Sequence, residues 1–164
     1  MNPVAPLLDS LSRTHGLGPL ALDEAGVCVL RYDDRLDVII ECPPGAESVL
    51  VQIPLMPVPG VDREGFFRKV LALNHRGEAT RGATLSLNEI SETVMLGALL
   101  PADTLDALGL EHLIGNLIDG AQSLIARLEP GGAHPDVSTD ADETARSPAP
   151  NIQTSSFFDP RHRG

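Results

Sequence analysis

The feature that most constrains this chain lies towards its end. Leu110, Leu113, Ile114, Leu117, Ile118, Ala121, Leu124, Ile125 and Leu128 recur at steps of three and four residues. That is the period of a helix with one apolar face, and five turns of such a face need a surface to cover them. Each larger side chain contributes about 1.5–3 kcal/mol when buried, so a helix placed within 101–129 anchors the fold. Asp103 and Asp106 stand at its start, where carboxylates favour the positive end of the helix dipole. They read as capping residues rather than as a catalytic pair.

The covering surface is written in period two. Leu36, Val38, Ile40 and Cys42 alternate with Arg35, Asp37, Ile39 and Glu41, and Val49, Val51, Ile53 and Leu55 repeat the pattern. Strands are expected at 27–32, 35–42 and 48–55, turning at Asp33-Asp34 and at Pro43-Pro44-Gly45, with two more at 83–88 and 92–99. Ahead of them, Asn2 and Pro3 open a helix carrying Val4, Leu7, Leu8 and Leu11, which Gly16 ends and His15 closes at its negative end. A second helix follows Asp62, carries Phe66, Phe67, Val70, Leu71 and Leu73, and stops near Asn74. The order is helix, three antiparallel strands, helix, two strands and a long C-terminal helix, which is an α+β arrangement.

Placing Tyr32 opposite Arg35 sets Cys28 opposite Ile39. That register groups Cys28, Leu30, Ile39 and Leu50 on a second apolar face and sends Cys42 to the other side of the sheet. A Cys28–Cys42 disulfide is not expected, in keeping with a reducing compartment. The second apolar face calls for a partner.

Acidic residues outnumber Lys and Arg by 23 to 12, which disfavours nucleic acid as a partner. No run of some 18 apolar residues spans a membrane and the start does not read as a signal peptide, so a cytoplasmic protein is expected. No GxSxG, HExxH, CxxC or phosphate-binding glycine loop is present, and no His, Cys or carboxylate set has metal-ligand spacing. Neither metal nor cofactor is expected, and no residue is assigned as catalytic. After Glu129 the composition turns to Pro, Gly, Ser, Thr and Asp, so 1–129 reads as the domain and 130–164 as a disordered tail. The tail ends in SSFFDPRHRG, which holds half of the chain's four phenylalanines.

The chain resembles the small acidic chaperones of bacterial type III secretion, the Tir-chaperone (CesT-like) family. The resemblance spans about residues 3–129 and rests on LLDSL in the first helix, GVCVLRYDDRLDVIIE in the first hairpin, KVLALN closing the second helix, and GATLSLNE…VMLGALLP before the last. It implies a homodimer that holds the N-terminal segment of a secreted effector extended and export-competent, with the secretion ATPase as a further candidate partner. It implies that Phe66, Val70, Leu73, Leu85 and Leu87 build the dimer interface. Effector contacts are expected from Leu7, Leu8 and Leu11 on the first helix and from Cys28, Leu30, Ile39 and Leu50 on the sheet. The 35-residue tail departs from the family's compact pattern. The rival readings are a small enzyme or accessory domain with a cleft, and a scaffolding domain for a folded partner. A perturbed titratable pair in a pocket would favour the enzyme, and a broad apolar groove the chaperone.

Overall fold

The computed structural model describes residues 2–129. The expected disordered tail 130–164 and its terminal motif lie outside the described residues. Helix α1 (Ala5–His15) leads into β1 (Val27–Tyr32), β2 (Leu36–Glu41) and β3 (Ser48–Pro57), then α2 (Arg63–Asn74), β4 (Thr84–Asn88), β5 (Thr93–Pro101) and α3 (Ala107–Leu128). The five strands form one antiparallel sheet in the order β1-β2-β3-β5-β4, so β1 and β4 are its edges. This is the α+β order that the periodicities predict.

Local chemistry explains the helix ends. The N–H of Val4 donates to Asn2 Oδ1 at 3.0 Å while Asn2 Nδ2 donates to the Cys42 carbonyl at 2.7 Å, so Asn2 ties the start of α1 to the end of β2. Gly16 takes the left-handed conformation that ends α1 (φ 62°). Asp62 caps α2 by accepting from the Gly65 N–H at 3.3 Å, and Asp106 caps α3 by accepting from the Gly109 N–H at 2.7 Å. The last helix is shorter than expected, because Ala102–Thr104 form a separate 3-10 turn before Asp106. Asp103 sits in that turn.

All three helices pack on one face of the sheet. Val38, Ile40, Val49, Val51, Ile53 and Leu96 meet Leu110, Ile114, Ala121 and Leu124 of α3, with Val4 and Leu8 of α1, and each of these side chains is essentially inaccessible. The stripe on α3 is thereby covered as its period requires. Among the described residues no helix covers the opposite face of the sheet.

The first hairpin corrects the expected register by one residue. Asp33 and Asp34 both lie in the left-handed region (φ 49° and 51°), and Arg35 N–H donates to the Tyr32 carbonyl at 3.1 Å. Arg35 then stands as an extra loop residue, so Tyr32 pairs with Leu36, Leu30 with Val38 and Cys28 with Ile40. Cys28 and Leu30 therefore face the helices, 5% and 7% exposed, and do not share a face with Ile39 and Leu50.

Cys42 also belongs to that core, so the two cysteines lie on the same side of the sheet rather than on opposite sides. Cys42 N–H donates to the Gly26 carbonyl, two residues before Cys28, which makes the cysteines diagonal neighbours across β1 and β2. A diagonal pair holds its Cβ atoms roughly 7–8 Å apart, too far for a disulfide, which needs about 3.8 Å. Both thiols are free for this reason. Burial, and secondarily the charge of Asp23, holds the Cys28 thiol above its ordinary pKa.

Candidate functional site

The uncovered face of the sheet is built from alternate residues of all five strands. One row across it reads Val27, Glu41, Leu50, Leu99, and the next reads Val29, Ile39, Gln52, Gly97, Thr84. Val29 is 56% and Leu99 70% exposed, while Ile39 and Leu50 are half-buried between them. Gly97 is itself buried in the middle of the second row and leaves little room for a side chain, since an added Cβ would stand 3.1 Å from Gln52 Cβ and 3.2 Å from the Val51 carbonyl oxygen.

The polar side chains of this face satisfy one another. Arg31 donates twice to Asp37 across the hairpin, at 2.7 and 2.8 Å, and Gln52 Nε2 donates to Glu41 Oε1 at 2.5 Å. The hydrogen bonds from Arg31 hold the Asp37 carboxyl below its ordinary pKa range, although both groups are solvated. What the face offers a partner is therefore the apolar strip Val29, Ile39, Leu50 and Leu99. The strip is aliphatic and open to solvent at Val29 and Leu99. Among the described residues no cluster of three or more His, Cys, Asp or Glu side chains could hold a metal ion, and no helix is long and apolar enough to cross a membrane.

The expected contact residues divide by burial. Ile39 and Leu50 are on the open face. Leu8 and Leu11 are in the core with Cys28 and Leu30, and Leu7 is half-buried at the surface of α1. Val29 and Leu99 were missed by sequence reasoning because the slipped register hid the first and a missing β3–β5 alignment the second. Once Val29 is paired with Ile39 and Leu50 with Leu99, both follow from period two.

The α2–β4 side carries the residues assigned to self-association. Phe66, Val70, Leu73 and Leu85 are at most 9% exposed and belong to the core of the single chain, whereas Leu87 is 41% and Leu71 68% exposed. Asn74, the last residue of α2, was not singled out as a site residue. Its Oδ1 accepts from the Leu85 N–H at 2.9 Å and its Nδ2 donates to the Leu85 carbonyl at 3.5 Å. The amide thus takes the place of a neighbouring strand at that point of the β4 edge. This links the end of KVLALN to the strand in GATLSLNE, the two segments on which the family resemblance leaned most.

The Tir chaperone protein (CesT) family model matches residues 6–125, which takes in every helix and strand from α1 to most of α3. The chain belongs to the Tir chaperone protein (CesT) family. The family is one of chaperones, and the rival readings as a small enzyme or a scaffold have no comparable support. Among solved structures, a chain of the ExsC–ExsE complex superposes with a TM-score of 0.67 at 26% identity, covering 78% of this chain and 95% of that one. A chain of the HopA1–SchA chaperone–effector complex gives 0.60 at 22% identity over 73% and 91%. A chain of the ExoU–SpcU complex from the type III secretion system of Pseudomonas aeruginosa gives 0.57 at 18% identity over 74% and 94%. The last two speak for the fold alone. No curated protein matches the chain by sequence.

Proposed function

We propose that this type III secretion chaperone receives the N-terminal segment of its effector in extended form, with Ile39 and Leu50 as the central contacts and Val29 and Leu99 beside them. The observation that carries the reading is the apolar strip on the one sheet face that no helix among the described residues covers. An extended client can lay alternate apolar side chains on such a strip while its backbone pairs with an unpaired edge strand, here β1. Leu7, half-buried on α1, lies on the helix-covered side of the sheet and would serve only as a separate contact. The chain works in the bacterial cytoplasm as a homodimer in this reading. The dimer contact centres on exposed Leu71 and Leu87, supported from beneath by Phe66, Val70, Leu73 and Leu85. Delivery to the secretion ATPase would follow, and the chaperone itself performs no catalysis.

Titration with an effector's N-terminal peptide tests the client surface. Ile39→Asp forces a carboxylate against hydrocarbon on binding, so affinity should fall by about 2 kcal/mol or more, roughly thirtyfold. Unchanged affinity in a folded variant would place the client elsewhere. For self-association, light scattering should give a dimer mass for the parent and a monomer mass for a Leu71→Asp, Leu87→Asp variant. A monomeric parent at micromolar concentration would refute the dimer.

A further inference from the structure

The segment SSFFDPRHRG lies outside the described residues, and the open sheet face has a charge and an apolar strip that suit it. Through residue 129 the chain holds nine Lys and Arg against eighteen Asp and Glu. The terminal segment is the exception in an acidic molecule: within 155–164, Arg161 and Arg163 outweigh Asp159. It also holds Phe157 and Phe158, the only aromatic residues beyond 129, with Ile152 a few residues ahead. On the open face, Leu50 and Leu99 lie beside Glu41, and exposed Glu47 directly precedes β3. An apolar strip flanked by carboxylates is thus matched by an apolar pair followed by two arginines.

Reach is sufficient. From Glu129 to Ile152 there are 23 residues, which span up to about 75 Å when extended and about 25 Å as a flexible coil. A domain of this size has a radius of gyration of about 14 Å, so a segment leaving α3 behind the sheet can come round to its open face. Tethering of this kind gives an effective concentration in the millimolar range. A segment with only weak affinity of its own is then bound most of the time.

We infer that residues 152–163 of the chain occupy its own open sheet face in cis, with Phe157 and Phe158 on the Val29, Ile39, Leu50 and Leu99 strip and Arg161 and Arg163 towards Glu41 and Glu47. The segment acts as a place-holder. It shields the apolar strip while no client is present, and a client has to displace it, at a cost of about tenfold in apparent affinity if the segment's own dissociation constant lies tenfold below the effective concentration. The role as place-holder rests on the reading of this face as the client surface, but the docking itself does not.

The chain has no tryptophan, so Phe157→Trp installs a single fluorescent reporter in the full-length protein. Docking predicts a blue-shifted emission and at least twofold weaker acrylamide quenching than in a free peptide of residues 150–164 bearing the same tryptophan. Adding Val29→Asp and Leu99→Asp, both at exposed positions, should restore the free-peptide values while the circular dichroism melt is kept. Emission like the free peptide in the parent would overturn the proposal. Protection that survives the double substitution would also overturn it, since the segment would then dock elsewhere. Protection that vanishes on dilution would assign the contact to a second copy and refute docking in cis. No effector enters the measurement, so an effector that fails to bind this face leaves the docking result standing, and a failed docking result leaves the effector titration to be judged alone.

Discussion

Two adjacent isoleucines on β2 offer the sharpest check on which face of the sheet is open. Ile40 is fully buried against the helices, and Ile39, its neighbour in sequence, is half-buried on the other side. Truncating a core isoleucine to alanine costs about 2–5 kcal/mol, the transfer term plus a cavity. Truncating Ile39 removes a smaller buried area with no closed cavity, for about 0.5–1.5 kcal/mol. For a domain of this length one kcal/mol moves the melting temperature by about 3–4 °C. Ile40→Ala should therefore lower the melt by about 6–20 °C and Ile39→Ala by about 2–6 °C. The assay is thermal circular dichroism on both variants at matched concentration, so that association contributes equally. Equal losses, or a larger loss at Ile39, would refute the face assignment and with it the client strip.

Three further outcomes follow from the geometry. Asn74→Ala leaves both backbone groups of Leu85 without their partner, so the melt should show a loss of about 1–3 kcal/mol, and a loss near zero would show that water replaces the amide at that edge. Cys28 and Cys42 should react slowly with a thiol reagent in the native state and both react in denaturant. Recovery of fewer than two thiols after unfolding without reductant would contradict free cysteines. Asp37 has a carboxyl pKa depressed by Arg31, so its contribution to stability is present above the ordinary aspartate range and is lost as pH falls through the folded value. The small difference in melting temperature between the parent and Asp37→Asn should accordingly be seen at neutral pH and fade in acid, and a difference that grows in acid would reverse that sign.

The long helix, the succession of helices and strands along the chain and the capping aspartates were legible because each is fixed by local chemistry: a period of 3.6, a period of two, an Asx side chain before a helix. Long-range alignment was less accessible, and the first hairpin shows why. Asp33-Asp34 announces the turn, but whether Arg35 belongs to the strand or to the loop depends on one backbone hydrogen bond, and a slip of one residue inverts every side chain of β1 relative to β2. A usable signal was nonetheless present. With Tyr32 opposite Arg35, Arg31 faces Leu36 and Asp37 has no basic partner. One residue along, Arg31 meets Asp37 in a bidentate pair, and Cys28 and Leu30 line up with Ile40 and Val38.

The same correction reshapes the functional argument rather than removing it. The apolar excess inferred for a second face was counted partly from residues that belong to the core, yet Val29 comes out onto that face as Cys28 and Leu30 go in. Leu99 joins it from β5, which no hairpin-by-hairpin alignment of β1 to β3 could reach, because β5 enters the sheet next to β3 only after α2 and β4 have intervened. The surface proposed for the client is thus assembled from three separate parts of the chain. It follows that single substitutions at Val29, Ile39, Leu50 and Leu99 should act together on a bound client and independently of Leu71 and Leu87, whose place on the α2–β4 side belongs to a different contact. Coupled losses across those two groups would mean that client binding and self-association share one surface.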